Sequence, residues 1–310
     1  MGAFGMTNFK GNYFKYIFFI LLLIFASTTN TALALEQLRN YDFNGNINNW
    51  QNKNPVSNAN TKYDNIDYNS NDLRFYSNRN GNTRNYDGVV FQDFTTPAAP
   101  VNANFRWSYN ISNANSGNGW NRNVTETLRF LYQAPTVSNT AAGIALGDDI
   151  TTTNGSGTGE KLIQNLNANT TYRAKIYSYS SLQYKNITVR IQYFCCNISP
   201  SGLTATPSTT NTRTVNIAGT NYRISTAINL NWNRSTSNAV TFTNYKIYRS
   251  NAENGTYTLL ATINNQNTTT YADTAPLAGE NWYYITDTGS DGVESPASMK
   301  AYFGSVTGYF

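Results

Sequence analysis

The stretch Phe194–Leu203, which reads FCCNISPSGL, divides the chain into two parts. It holds both cysteines of the protein and then Asn197–Gly202, a run of turn-forming residues with a proline. Proline has no backbone N–H for a sheet, so this run is not expected to continue a central strand. We therefore predict one domain over residues 35–196 and a second over residues 197–310.

The N-terminus has the pattern of an export signal over residues 1–34. Lys10 and Lys15 precede the unbroken apolar run Tyr16–Ala26, and Ala32–Ala34 follows as an A-x-A cleavage site. A membrane-spanning helix needs about 20 apolar residues, more than this run supplies. We expect cleavage after Ala34 and an extracellular protein, secreted or on the cell surface, with no membrane span after cleavage.

The composition favours strands over helices. Charged residues make up 13% of the chain, which has 23 Tyr and 16 Phe and is rich in Asn and Thr. Aromatic and β-branched residues suit pleated sheets, and no stretch after the leader shows sustained helical spacing of apolar residues. The predicted fold class is all-β, with two β-sandwich domains after the signal peptide.

Charge and histidine content argue against several function classes. Removing Lys10 and Lys15 from the 22 basic residues leaves 20 against 17 acidic ones, a net charge of +3 without a cluster. Nucleic-acid binding needs a basic stripe, so we expect no nucleic-acid partner.

The chain has no histidine, which excludes Ser-His and Cys-His nucleophiles and His-ligated zinc. Asp148 and Asp149 are adjacent and would point to opposite faces of a strand, so we expect the protein not to be an enzyme.

The two cysteines, Cys195 and Cys196, are neighbours in the chain. An exported protein with an even cysteine count usually forms a disulfide. Adjacent cysteines close only a strained ring. Three states stay open: a vicinal bridge, a link to another chain, or two unreactive thiols.

Short alternating segments indicate antiparallel strands in the first domain, which also contains the motifs Asn40–Trp50, Gly88–Phe94 and the turn Leu166–Tyr172. These three motifs resemble those of the galactose-binding-like jelly rolls, which include carbohydrate-binding modules. The resemblance implies a jelly roll that binds carbohydrate, and such domains often hold a structural calcium. The segment Thr188–Gln192 lacks the Asp-Asn pair usual in the family, which argues against calcium here. Asp42 and Asn44 are the candidate calcium ligands, although an acidic residue is common in the family where Asn44 stands.

Sugar binding needs exposed aromatic faces with amide or guanidinium donors beside them. A Gly/Asn-rich loop is expected to expose the Trp120 indole beside such donors. Tyr86 on a predicted turn, and Tyr177 and Tyr179 on a polar strand face, are further candidates. The candidate ligand-binding residues are Trp120, Asn121, Arg122, Tyr86, Tyr177 and Tyr179. Trp50 and Trp107 lie beside apolar neighbours on predicted strands and are expected in the core.

The second domain contains the strand-like segments Ile228–Trp232 and Tyr245–Arg249, and Leu277–Tyr283 has the spacing of a tyrosine corner. In this order they resemble strand B, strand C and the tyrosine corner of a fibronectin type III domain. The segment Thr212–Arg223 is longer than the family's usual turn and predicts an added hairpin. The resemblance implies a spacer or a protein-contact module.

Two functions follow as hypotheses. The first is a carbohydrate-binding, adhesin-like surface protein whose partner is a glycan or polysaccharide and which other surface proteins contact. The second is a structural surface or filament subunit that assembles with copies of itself. Several Asn-x-Ser/Thr sequons, among them Asn110, Asn254 and Asn267, are compatible with a glycoprotein.

Overall fold

The structure is a computed structural model that describes residues 35–38, 43, 49–53, 65–70, 72–78, 84–114, 125–134, 143–152, 154–182, 186–237 and 239–304. These residues form strands and turns without a helix, which confirms the all-β prediction. The first sandwich contains β1 (Leu35–Glu36), β2 (Gln51–Lys53), β3 (Asn65–Asn69), β4 (Asp72–Asn78), β5 (Arg84–Thr95), β6 (Val101–Ala114), β7 (Thr125–Gln133), β8 (Ile144–Ala145), β9 (Ile150–Thr152), β10 (Gly155–Leu166), β11 (Thr171–Leu182) and β12 (Asn186–Ile198). The second contains β13 (Thr204–Pro207), β14 (Thr212–Ile217), β15 (Thr220–Ser225), β16 (Ile228–Asn231), β17 (Phe242–Ser250), β18 (Thr258–Ile263), β19 (Thr270–Asp273), β20 (Asn281–Gly289) and β21 (Ala301–Phe303).

The first sandwich consists of two antiparallel sheets with a core between them. Sheet I has the order β10-β6-β12-β4-β3, with β1 added to β12; sheet II has the order β2-β5-β11-β7-β8, with β9 added to β7. Because side chains alternate along a strand, the core receives alternate residues of the central strands, and on β12 the alternation shifts by one residue between Ile191 and Phe194. Val90, Phe105, Phe130 and Ile176 are among the buried residues that meet there.

One glycine of β10, Gly159, makes room for an indole of β6. Gly159 pairs with Trp107, and a Cβ on Gly159 would lie 2.3 Å from the Trp107 ring. Only a residue without a side chain permits this approach. Trp107 and Trp50 are each 6% exposed and belong to the core, which confirms their predicted placement.

Strand β12 extends further than the sequence predicted. Asn197 and Ile198 continue it, pairing with Asn104 and Ala103 of β6, and the strand ends only where Pro200 approaches. The expectation that the run from Asn197 could not continue a central strand is therefore wrong by two residues. These two positions also pair with β1, so both neighbouring strands supply backbone partners before the proline.

The second sandwich packs two smaller sheets around its own core. Sheet III has the order β13-β16-β19 and sheet IV the order β18-β17-β20-β21, with Leu230, Trp232 and Ile285 among the buried residues. β14 and β15 form a separate hairpin, which confirms the one predicted in Thr212–Arg223.

No helix in the described part of the chain is long and apolar enough to cross a membrane. The boundaries of the two predicted domains stay a prediction, since both sandwiches lie in one compact unit, Ala32–Phe310.

A buried phenol ties two strands of the second sandwich together. Tyr283 is fully buried, and its hydroxyl donates to Asp273 Oδ2 at 2.8 Å. Arg249 Nη1 donates to the same oxygen at 2.7 Å. Burial, reinforced by the Asp273 carboxylate, raises the pKa of Tyr283, so the phenol stays a neutral donor.

Tyr283→Phe is expected to destabilise the protein by about 2 kcal/mol, because it leaves a buried carboxylate oxygen without one of its two donors. Guanidinium unfolding measures this loss. Tyr222→Phe is the control, since Tyr222 lies on the β14–β15 hairpin and is 38% exposed. Equal stability of the two variants would contradict the role given to the Tyr283 hydroxyl.

Candidate functional site

The predicted loop site of the first sandwich lies largely outside the described residues. That holds for Trp120, Asn121 and Arg122, and for the candidate calcium ligands Asp42 and Asn44. Tyr86 belongs to β5 and pairs with Ser180 of β11, but its side chain is not among those described. These ligand assignments stay predictions. In the described ranges, no three His, Cys, Asp or Glu residues are grouped so that they could hold a metal ion.

Tyr177 and Tyr179 lie on the outer face of sheet II, as predicted, but this face is covered. Tyr177 is 8% exposed and belongs to a buried apolar cluster with Val89, Phe91 and Leu131, against which Tyr179 packs. A ligand would have to displace this packing to reach the Tyr177 ring. The face is therefore poorly suited to the sugar binding expected from the sequence.

The charged groups of this outer face are engaged by protein partners. Arg173 donates through two nitrogens to the Asp93 carboxylate and lies 4.0 Å from the centre of the Phe91 ring. Lys175 is fully buried and donates to Gln133 Oε1 at 2.7 Å. Burial, and secondarily the nearby Arg173, lowers the pKa of Lys175 to about 8. The face thus resembles a packed layer rather than an open site.

The two cysteines are free thiols in this structure, without the disulfide considered from the sequence. Successive side chains of a strand point to opposite faces, which separates the sulfur atoms. Cys196 lies in the core of the first sandwich, and Cys195 Sγ is 3.6 Å from the carbonyl oxygen of Arg106. Burial is the main cause that raises the pKa of both thiols, so neither is an activated nucleophile.

The outer side of sheet IV carries a group of aromatic rings, which we call the aromatic face. It consists of Tyr248, Tyr257, Trp282, Tyr284 and Tyr302. Ring centres lie 4.8 Å apart for Tyr248–Tyr284, 4.6 Å for Tyr257–Tyr284 and 4.7 Å for Trp282–Tyr302. None of the five rings is buried, and Tyr302 is 48% exposed.

Strand alternation puts these rings on the outside. Tyr283 and Ile285 of β20 point into the core, so Trp282 and Tyr284 point outward. Cross-strand pairing then places Tyr248 beside Tyr284 and Tyr302 beside Trp282. Aromatic residues that lie opposite each other on neighbouring strands stabilise the sheet, and here the same pairs make up the aromatic face.

Hydrogen bonds hold three of the rings in place. The Tyr248 hydroxyl donates to Glu294 Oε1 at 2.9 Å, and the Tyr257 hydroxyl donates to the carbonyl oxygen of Glu253 at 3.0 Å. Trp282 Nε1 donates to Glu280 Oε2 at 3.0 Å. Because the polar atoms are engaged, the flat ring surfaces are oriented before any partner arrives.

The charges around the aromatic face are paired. Glu294 also accepts hydrogen bonds from Lys246 Nζ and from Thr286 Oγ1. Burial would raise the pKa of Glu294, but these donors and Tyr248 together lower it, so the carboxylate stays ionised. Burial and the Glu294 carboxylate raise the pKa of Tyr248 to about 12, which keeps the phenol neutral.

Local sequence pattern does not predict this face. It places Trp282 and Tyr283 together in a tyrosine corner and Tyr245–Arg249 on strand C. The sequence pattern that indicates such a face is an aromatic residue directly after an inward-pointing core residue of a strand. Tyr248 follows Ile247 in this way, and Tyr284 follows Tyr283.

Comparisons with known proteins give no family. No family model matches the chain, and a search of curated proteins found no match. One similar solved structure is a β-1,2-glucanase from Parabacteroides distasonis, with a TM-score of 0.23, 14% identity, and coverage of 88% of this chain and 39% of that one. Another is the tripod (BppUct-A-L) from the baseplate of bacteriophage Tuc2009, with a TM-score of 0.27, 12% identity, and coverage of 89% and 91%. The chain thus spans about two fifths of the glucanase structure.

The expectation that the protein is not an enzyme is corrected by this comparison, because one of the similar structures is an enzyme. A TM-score of 0.23 at 14% identity does not assign the glucanase activity to this chain. The absence of histidine excludes only the catalytic systems that use it.

Both thiols are expected to resist a water-soluble disulfide reagent at pH 8 while the protein is folded, because they are buried and protonated. Ellman's reagent should then titrate two thiols per chain in guanidinium. Cys195→Ser should lower that count to one. Rapid labelling of the native protein, or no labelling after unfolding, would contradict the two buried free thiols.

Proposed function

We propose that the protein binds carbohydrate outside the cell and that the aromatic face of sheet IV is its contact surface. The observation that carries the proposal is the set of five half-buried or exposed rings on one sheet face, three of them oriented by hydrogen bonds. The export pattern of residues 1–34 supports the extracellular setting.

The chemistry of the face suits a sugar. Pyranose rings present C–H surfaces that pack on aromatic rings, and their hydroxyl groups need donors and acceptors at the edges. Tyr and Trp supply the apolar faces, and a Tyr hydroxyl that already donates to a protein group can still accept a hydrogen bond from a sugar hydroxyl. The surrounding apolar surface is also accessible, since Leu259 is 54% exposed and Met299 39%.

The charge balance of the face favours an uncharged glycan. Lys246 and Glu294 form an ion pair, and Glu280 accepts from Trp282. Lys300 lies 5.7 Å from the centre of the Tyr257 ring and donates to Asn254 Oδ1 at 3.1 Å. A strongly anionic polymer would find no cluster of unengaged cations among these residues.

A matched set of ring deletions tests the site. Trp282→Ala and Tyr302→Ala are each expected to weaken binding to a neutral polysaccharide by roughly tenfold, the loss of about 1.4 kcal/mol of stacking. A glycan array identifies the polysaccharide, and isothermal titration measures the affinity. Tyr222→Ala removes an exposed tyrosine of the β14–β15 hairpin and should bind like the wild type.

The binding measurements also distinguish the aromatic face from the predicted Trp120 loop, and carbohydrate binding from a structural role. Loss of binding only in Trp120→Ala would transfer the site to the loop of the first sandwich. A protein that binds no glycan and sediments as large assemblies would favour the structural subunit considered from the sequence.

A further inference from the structure

A short segment of the first sandwich, Leu35–Leu38, is hydrogen-bonded to both sandwiches, and we call it the strap. On one side β1 pairs with the end of β12, and the backbone N–H of Gln37 donates to the carbonyl oxygen of Cys196 at 3.0 Å. On the other side Ser237 Oγ donates to the carbonyl oxygen of Glu36 at 2.8 Å. The Gln37 side chain adds a longer bond, from Nε2 to the Thr236 carbonyl oxygen at 3.4 Å.

The Glu36 carboxyl group is the central contact of the strap. It is 1% exposed. Its Oε1 accepts from the backbone N–H of Leu38 at 2.7 Å and of Cys196 at 3.0 Å, and its Oε2 lies 3.1 Å from the same Cys196 nitrogen as a second acceptor. Among the described residues Glu36 forms no ion pair, although an ionised carboxylate in such a position normally needs one. Full burial without a charged partner therefore disfavours the ionised form, against the backbone N–H donors, which favour it.

The charged and titratable groups facing Glu36 come from both sandwiches. Arg106 of β6 attracts the ionised form, whereas Asp291 of the second sandwich repels it. Cys195 and Cys196 are protonated thiols at neutral pH, since burial raises their pKa. The net effect is dominated by burial, which raises the pKa of Glu36 to about 8 against the two backbone hydrogen bonds and Arg106.

A second buried acid adjoins the same loop of the second sandwich. Asp287 of β20 is fully buried, and the hydroxyl groups of Ser235 and Ser295 stabilise its ionised form only in part. Ser235 lies beside it and immediately precedes Thr236 and Ser237, which contact the strap. Burial raises the pKa of Asp287 to about 7.

We propose that the strap is a proton-dependent clamp: the neutral Glu36 carboxyl holds Leu35–Leu38 between the two sandwiches, and its ionisation releases the segment. Release gives the carboxylate access to water, which removes the cost of a buried unpaired charge. The bonds from Ser237 and to Cys196 are lost together, because the same four residues form them.

The pH window follows from the two states of Glu36. A released carboxyl titrates near 4.5 and the clamped one near 8, so the clamped state binds the extra proton between these values. The equilibrium constant for release should then rise about tenfold per pH unit across this window and become constant above pH 8. The clamp is tightest below the lower value.

Hydrogen exchange of the purified protein tests the clamp directly. The amide protons of Leu38 and Cys196 both donate to Glu36, so their protection factors should fall about tenfold per pH unit from pH 5 to 8. The amide of Ile176 in the core of sheet II is the internal reference and should not follow that slope. A flat profile for Leu38 and Cys196 would overturn the proposal.

Three variants assign the effect to one group. Glu36→Gln keeps an acceptor oxygen for both amides but cannot ionise, so its profile should be flat. Ser237→Ala should lower protection at every pH while keeping the slope, since it removes a bond of the strap without a titrating group. Asp287→Asn should also keep the slope; if it alone abolishes the slope, or if Glu36→Gln retains it, Glu36 is not the switch.

Discussion

The first sandwich depends on the packing of one ring, Phe194, between its two sheets. Phe194 is fully buried on β12, and its ring centre lies 5.2 Å from that of Phe130, 6.0 Å from that of Phe105 and 6.1 Å from that of Trp50. Phe105 belongs to sheet I and Phe130 to sheet II, so this cluster joins the layers. Each such aromatic pair contributes about 0.5–1.5 kcal/mol beyond the area it buries. Because β12 continues directly into Cys195 and Cys196, this packing also fixes where the strap docks.

The same residue type serves two purposes in the second sandwich, and strand alternation decides which. Tyr245 and Tyr283 point inward, where their hydroxyls bond to buried partners and complete the core. Tyr284 follows Tyr283 directly and Tyr248 lies three positions after Tyr245. Both therefore point outward and belong to the aromatic face. A one-residue shift in register would exchange the two sets. The hydrogen-bonded partners Asp273 and Glu294 therefore help to specify the register as well as to orient rings.

The sequence predicted the features that local pattern controls. Alternation identified the strands, the long segment after β13 predicted a hairpin, and apolar neighbours placed Trp50 and Trp107 in the core. The end of β12 was misjudged because turn-forming residues can still pair when two neighbouring strands offer partners. The strap was not foreseen, since Glu36 and Cys196 lie 160 positions apart and only the fold brings them together. The aromatic face also depends on strand pairing between distant parts of the chain, such as the pairing of Trp282 on β20 with Tyr302 on β21.

The aromatic face and the clamp are connected through one strand, β20. Its inward side carries Asp287 next to the loop that contacts the strap, and its outward side carries Trp282 and Tyr284. Continuous pairing of β20 with β17 holds these residues in one register, so the rings cannot shift separately from the strand. Release of the strap would therefore change how the aromatic face is positioned relative to the first sandwich, while the spacing of rings within the face stays the same. A pH-dependent clamp would thus alter the presentation of the proposed contact surface and leave the arrangement of its rings unchanged.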